Sequence, residues 1–424
     1  MTLAIVVLVL LMLLFSGLPV AFALAGLGTA MLMIKGLPLI MVAQNLHGAI
    51  DNFILLSVPL FLLMSNILLK GGVGRDLFEA VQSWVGHWPG GLGIATLLSC
   101  GMFSAISGSS VATAATVGTV AIPEMTKRGY GKPFVFGLLA AGGTLGILIP
   151  PSIPLIVYGV ISEESIGKLF LAGIGPGILL IVLFSIYAVI NSAWTGAYEP
   201  SAKATWQHRR ATTLRAFPTA LLAVVMVGGI YAGIFTPTEA SAVGAVLALV
   251  LTTVVLRSLT WKGFVEAVRH TVSTTIVLFL VVIGAKIFGK AVTLYQVPMQ
   301  VSQLVDTHVA SAALFILIVA LILLFIGLFL ESLSMLLIMV PVLFPTVLAL
   351  NIDPIWFGIF FVVLIEIALI TPPVGLNLFV IQTIARAPLG QIVHGVLPFI
   401  VLMLLSVVLL WLFPGIALFI PLHL

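Results

Sequence analysis

Residues 133–161 read PFVFGLLAAGGTLGILIPPSIPLIVYGVI, a run with no charged residue. A bilayer-spanning helix needs about 20 mainly apolar residues, so the run is long enough to cross. It nevertheless contains Gly142-Gly143-Thr144 and then Pro150-Pro151-Ser152. Two consecutive prolines remove two backbone donors and disfavour helical geometry in the residue before them. The span therefore breaks in mid-membrane. Irregular backbone at that depth is tolerated only where it is buried in protein or lines a watery cavity. A second span, residues 354–385, breaks in the same way at Thr371-Pro372-Pro373-Val374-Gly375.

The rest of the chain agrees with this reading. Of 424 residues, 62% are apolar and 7% charged, against about 25% charged in soluble domains. No Asp, Glu, Lys or Arg occurs in residues 1–34, 80–123, 133–162, 169–198 or 387–424. The apolar runs are continuous rather than alternating, which excludes a transmembrane β-barrel and leaves an all-α polytopic membrane protein. The net charge of +4 comes from 17 basic residues scattered along the chain, which form no patch for nucleic acid. Cys100 is alone, so there is no intramolecular disulfide. The N-terminus lacks a basic n-region and is expected to be a retained first span.

Each broken span follows an interrupted hairpin. Residues 91–126 are uncharged up to Glu124 and are parted by Ser107-Gly108-Ser109-Ser110. Two arms of about 15 residues each are too short to cross twice and predict a re-entrant hairpin. Residues 309–349 repeat the pattern around Glu331-Ser332-Leu333-Ser334. One offset of 222 carries Ser110 to Ser332, Pro123 to Pro345, and Pro150-Pro151 to Pro372-Pro373 without a gap. The loop after the first hairpin holds Lys127, Arg128 and Lys132, whereas the loop after the second, around Asn351 and Asp353, holds no basic residue. Under the positive-inside rule the first loop is cytoplasmic and the second outside, so the repeats are inverted and both termini lie outside. Only Lys35, Lys168, Lys286 and Lys290 then fall outside. The expected division is a first repeat over 1–194 and a second over 216–424. The first holds scaffold helices 1–70, hairpin 91–126 and broken helix 133–161. The second holds scaffold helices 216–290, hairpin 309–349 and broken helix 354–385. A cytoplasmic linker, 195–215, joins them.

Paired, interrupted spans in inverted halves point to a secondary transporter whose site lies at the breaks. Helix N-termini exposed there offer N–H groups to an anion, and freed carbonyls with hydroxyls suit Na⁺. The expected substrate contacts are Ser107, Gly108, Ser109, Pro150, Ser152, Glu331, Ser332, Thr371 and Asn377. One Na⁺ is expected at Ser109, Ser110, Thr113, Gly143 and Thr144. A second is expected at Ser332, Ser334, Glu366, Thr371 and Gly375. Glu366 is a carboxylate in mid-span, costly unless it faces a cavity or partner or is protonated. Glu239, in Thr236-Pro237-Thr238-Glu239, reads equally as a helix cap. The seven histidines never pair at metal-ligand spacing, and no Walker A sequence is present. A serine hydrolase is disfavoured because Ala105 stands where a Gly-x-Ser-Gly turn needs its first glycine.

Several motifs resemble the large membrane subunit of TRAP (tripartite ATP-independent periplasmic) transporters, a DctM-like permease. They are Ser107-Gly108-Ser109-Ser110-Val111-Ala112-Thr113, Ile122-Pro123-Glu124-Met125, Ile149-Pro150-Pro151-Ser152-Ile153-Pro154, Gly233-Ile234-Phe235-Thr236-Pro237-Thr238-Glu239-Ala240 and Thr371-Pro372-Pro373-Val374-Gly375-Leu376-Asn377. The resemblance implies no enzyme activity but import of organic acids, such as C4-dicarboxylates or sialic acid, across the bacterial inner membrane. It also implies Na⁺ drive, an elevator motion of the hairpins, a periplasmic substrate-binding protein and a small membrane subunit of about four helices. The alternative is a stand-alone divalent-anion/sodium symporter of related two-hairpin architecture.

Overall fold

The computed structural model describes residues 2–196, 201–308 and 311–423, and no strand occurs among them. Gly17, at positive φ, parts α1 (Thr2–Phe15) from α2 (Val20–Ile34). Helix α3 (Ile40–Ile50) follows, then α4 (Ser57–Lys70) and α5 (Val73–Val85). The first hairpin is α6 (Gly91–Ser107) and α7 (Ser110–Lys127). The first broken helix is α8 (Lys132–Thr144), a 3₁₀ turn at Leu145–Ile147, and α9 (Ile153–Ser162). A long helix, α10 (Ile166–Thr195), closes the first half.

The second half opens with α11 (Trp206–Tyr231), α12 (Pro237–Val250, continued by a π turn, Leu251–Val255) and α13 (Trp261–Leu294). A helix not foreseen from sequence, α14 (Val297–His308), packs against the second hairpin, α15 (Ala312–Gly327) and α16 (Ser332–Ala349). Residues 309 and 310 of that hairpin lie outside the described residues. The second broken helix is α17 (Pro354–Ile370) and α18 (Leu376–Ala385), followed by α19 (Leu389–Leu412) and α20 (Gly415–His423).

The two halves correspond element by element. The offset of 222 takes the start of α7 at Ser110 to the start of α16 at Ser332, and the start of α8 at Lys132 to that of α17 at Pro354. Both Pro150–Pro151 and Pro372–Pro373 are cis peptides. The long helices α10 and α19 follow each break.

Two expectations need correction. The hairpin arms are 17 and 18 residues in the first half and 16 and 18 in the second, longer than expected. At about 1.5 Å per residue an 18-residue arm approaches the bilayer thickness, so length does not make these segments hairpins. What does is where they turn: the first tip ends inside the protein against the first break. The connection between the halves is also shorter than expected. Thr205 caps α11 by accepting from the His208 N–H, so the basic residues Arg209, Arg210 and Arg215 are helical. Arg209 donates to the Ser83 carbonyl at 3.1 Å and lies over the Trp84 ring, holding α11 on α5. Residues 197–200 of this connection lie outside the described residues.

Seven helices are long and apolar enough to cross a membrane among the described residues, including α10, α11, α13 and α19. Their outward faces carry exposed apolar side chains such as Val224, Ile276 and Val401, each more than half exposed. That pattern suits lipid as the solvent rather than water. α17 is the reverse: every residue from Trp356 to Ile370 is buried. Helices α8, α9 and α17 thus form the centre of the molecule, whereas α18, buried only at Asn377, Leu378 and Ile381, reaches its surface.

Candidate functional site

The first tip is built by local rules. α6 ends at Gly108, whose φ of 61° is left-handed and costs a side-chain-bearing residue strain. A Cβ there would also stand 2.6 Å from the Pro151 carbonyl oxygen, so the tip touches the break backbone to backbone. Ser109 restarts the chain as the N-cap of α7, accepting from the Ala112 N–H. Three oxygens gather here: Ser107 Oγ and Thr113 Oγ1 lie 2.9 Å apart, and Thr113 Oγ1 donates to the Ser109 carbonyl at 2.9 Å. A Cβ on Gly146 would sit 2.5 Å from that carbonyl and 2.7 Å from Thr113 Oγ1. Gly146 is therefore the break residue that faces the oxygen cluster, and sequence reasoning missed it. The signal was a third glycine between Gly142-Gly143 and the prolines.

The expected Gly143 and Thr144 play other parts. The Thr144 hydroxyl turns back to the Ala141 carbonyl at 2.7 Å. Gly143 allows α8 to approach α7, since a Cβ there would meet the Ala114 Cβ at 2.6 Å. Ser152 caps α9 through the Leu155 N–H, and its hydroxyl also donates to the Ile147 carbonyl, closing the 3₁₀ segment before the break. Pro150 is buried beside it.

The second tip differs in chemistry. Glu331 is the N-cap residue of α16, and its Oε1 accepts from Ser334 Oγ at 2.9 Å. A carboxylate at a helix N-terminus complements the positive end of the helix dipole. Between this tip and the second break lies a cavity of ≈ 10 Å³ lined by Glu331, Ser332, Gly375 and Leu376, with Gly327 and Ala368 beneath. That volume is about one water, enough for an ion and far too small for an organic acid. Thr371, whose hydroxyl donates to the Ile367 carbonyl at 2.6 Å, ends α17 beside the break.

Glu366, expected at the second Na⁺ site, and Asn377, expected as a substrate contact, are placed elsewhere. Glu366 does not line the cavity; Ile365, Ala368 and Leu369 present that face of α17. Asn377, expected at the second break, belongs to the first tip: Ser110 Oγ donates to its Oδ1 at 2.9 Å, and its Nδ2 donates to the Ala140 carbonyl at 3.0 Å. All three residues are buried. A single amide of the second broken helix thus joins the first hairpin to the first broken helix. Tyr158 makes a second link between halves, its hydroxyl donating to the Pro354 carbonyl at 2.6 Å. Glu239 is settled as a cap: it completes a capping box with Thr236 at the start of α12.

A hairpin tip set against a mid-span break in each inverted half, buried in the first and half-buried in the second, defines a secondary transporter. Residues 6–416 match the family described as the tripartite ATP-independent periplasmic transporter, DctM component, and the chain belongs to it. It is a large permease component of a transport system, not an enzyme. It is 38% identical over 410 residues, covering 96% of each chain, to the sialic acid TRAP transporter large permease protein SiaM of Vibrio cholerae. It is 39% identical over 381 residues, covering 89% of this chain and 88% of the other, to the C4-dicarboxylate TRAP transporter large permease protein DctM of Pseudomonas aeruginosa. It is 35% identical to the 2,3-diketo-L-gulonate large permease protein YiaN of Escherichia coli over 94% of this chain and 93% of that one. The solved YdaH transporter of Alcanivorax borkumensis shares the fold, with a TM-score of 0.60 at 15% identity over 88% of this chain and 87% of its own.

Proposed function

We propose that the chain is the permease of a Na⁺-driven importer of organic acids in the bacterial inner membrane, with both termini on the periplasmic side. It would receive its substrate from a periplasmic binding protein and work beside a small membrane subunit of about four helices. The observation that carries this reading is the pairing of each hairpin tip with a broken helix, one offering an oxygen cluster and the other an ion-sized cavity. Hydroxyls and freed carbonyls are the hard ligands Na⁺ prefers. The relatives named for sialic acid, C4-dicarboxylates and 2,3-diketo-L-gulonate support a carboxylate substrate.

No arginine lies in either tip or break, so no guanidinium forks the carboxylate. The acid is instead held by helix N-termini, hydroxyls and the bound cations, so the choice among acids falls to the binding protein. The ≈ 10 Å³ cavity at the second break suits a cation rather than the acid, and an elevator motion would carry hairpin and break together against the scaffold helices. Two Na⁺ crossing with a monoanion leave one positive charge, which gains about 2.3 kcal/mol per 100 mV.

The experiment is initial uptake into proteoliposomes holding this chain with its small subunit, with and without the cognate binding protein. A sigmoidal dependence on Na⁺ is expected, with no uptake of the free acid alone. Replacing Ser110 or Ser332 with leucine raises the Na⁺ needed for half-maximal rate. A hyperbolic curve, or full activity in K⁺ at constant pH, refutes two-ion coupling; equal uptake without the binding protein refutes that partner.

A further inference from the structure

The offset of 222 carries residues 73–85, which form α5, onto 295–307, the place of α14 (Val297–His308). These two lateral helices are therefore counterparts. Each bears on the second arm of its hairpin through a side-chain hydrogen bond. Gln82 Nε2 donates to Glu124 Oε1 at 3.3 Å, and Ser302 Oγ meets Thr346 Oγ1 at 2.9 Å. The same offset carries Glu124 onto Thr346, so one position of the repeat makes both contacts with different side chains. In each arm that position directly follows a proline inside the helix, Pro123 or Pro345. Such a proline leaves the carbonyl four residues earlier without its helical N–H, so each arm bends most easily where it is held.

The two contacts are not equally closed. Helix α5 lies mainly against α6, the first arm of its hairpin, and less against α7, whereas α14 lies mainly against α16, the second arm. At one end α5 touches α7 tightly, since a Cβ on Gly74 would stand 2.1 Å from Thr116 Cγ2. Further along, a cavity of ≈ 200 Å³ parts the two helices, with Phe78, Glu79, Gln82, Val120, Glu124 and Lys127 on its walls. The pair thus forms a wedge with its apex at Gly74 and its mouth at Gln82. Gln82 spans that mouth at the long end of hydrogen-bond range, and Glu124 also accepts from Arg128 Nε at 2.9 Å. A static clamp would seat equivalent helices alike on equivalent hairpins.

Because the halves are inverted, the arrangement one repeat adopts toward one face of the membrane is available to the other toward the opposite face. We propose that Gln82–Glu124 and Ser302–Thr346 are paired latches that close in alternation. The wedge of the first half shuts as α14 parts from α16, and the reverse motion reopens it. In this conformation the second latch is shut and the first stands ajar. This rests on the transporter reading above and names the contacts that hold its two end states.

Cross-linking tests the latches without transport. In a Cys100→Ser full chain reconstituted in proteoliposomes, oxidation of Gln82→Cys/Glu124→Cys to a disulfide reads the first latch. Adding Thr346→Val, which removes the hydrogen bond of the second latch with little change of shape, is expected to speed that cross-link about threefold or more. Ser302→Ala, which removes the same bond from the other side, is expected to do likewise. Spin labels at Glu79 and Lys127, on the two walls of the cavity, should draw together in both variants, and they decide the matter if the cysteine pair does not fold. A cross-link no faster than in the parent, or a label separation that neither variant shortens, overturns the proposal. Trapping the second latch shut as a Ser302→Cys/Thr346→Cys disulfide should abolish uptake, with recovery on reduction; undiminished uptake overturns it equally. If the wild type imports no organic acid at all, the proposed function fails while cross-linking and label separation still judge the latches.

Discussion

Replacing Asn377 with leucine tests whether the two halves are tied at the first tip. The change keeps the branched heavy-atom shape, with somewhat more bulk, while removing the hydrogen bonds to Ser110 and to the Ala140 carbonyl. Each such bond contributes about 0.5–1.5 kcal/mol net, and a buried group left unpaired costs about 1–3 kcal/mol. The Ala140 carbonyl lies within α8 and keeps a helical partner, whereas the Ser110 hydroxyl, 4% exposed, is left with nothing. The expected loss is about 2–4 kcal/mol. Ser110→Ala alone should cost about 1 kcal/mol, and the double variant should cost about 1–2 kcal/mol less than the sum, because the two side chains share one bond. The assay is reversible unfolding in mixed micelles for the wild type, both single variants and the double. Strict additivity would refute the direct contact. In uptake, Asn377→Leu should raise the half-saturating Na⁺ concentration, since Ser110 adjoins the oxygen cluster of the first tip.

Gly395→Ala should cost about 1–3 kcal/mol or more, because its Cβ would stand 1.8 Å from the Pro133 carbonyl oxygen and force α19 off α8. Gly390→Ala in the same helix meets nothing within 4 Å and should be neutral or slightly stabilising; unfolding midpoints of both decide the point. Thr236→Ala should cost about 1 kcal/mol by uncapping α12. Its uptake kinetics should match the wild type, and a changed Na⁺ dependence would show that the cap has a functional part.

Some of this protein was written locally. Pro150-Pro151 and Pro372-Pro373 break their helices wherever they stand, because a missing N–H and a ring clash are properties of the residue itself. The tips at Ser107–Ser110 and Glu331–Ser334 interrupt apolar runs for equally local reasons, and the constant offset between halves follows from them. Continuous apolar sequence likewise dictated an all-helical membrane protein, since a bilayer leaves the backbone no other way to pair its polar groups.

What lay beyond sequence was every question of which group faces which. Asn377 stands in the second break by number but bonds to the first tip, and no spacing rule reports a contact between residues 267 positions apart. Glu366 was visible as a charge in an apolar run; only the packed helix shows that it turns away from the nearby cavity and has no partner. Gly146 displaced Thr144 at the oxygen cluster because a 3₁₀ turn follows α8 and rotates the chain before the break. In a run where nearly every residue is apolar, periodicity carries no face, so tertiary packing alone assigns the inward side.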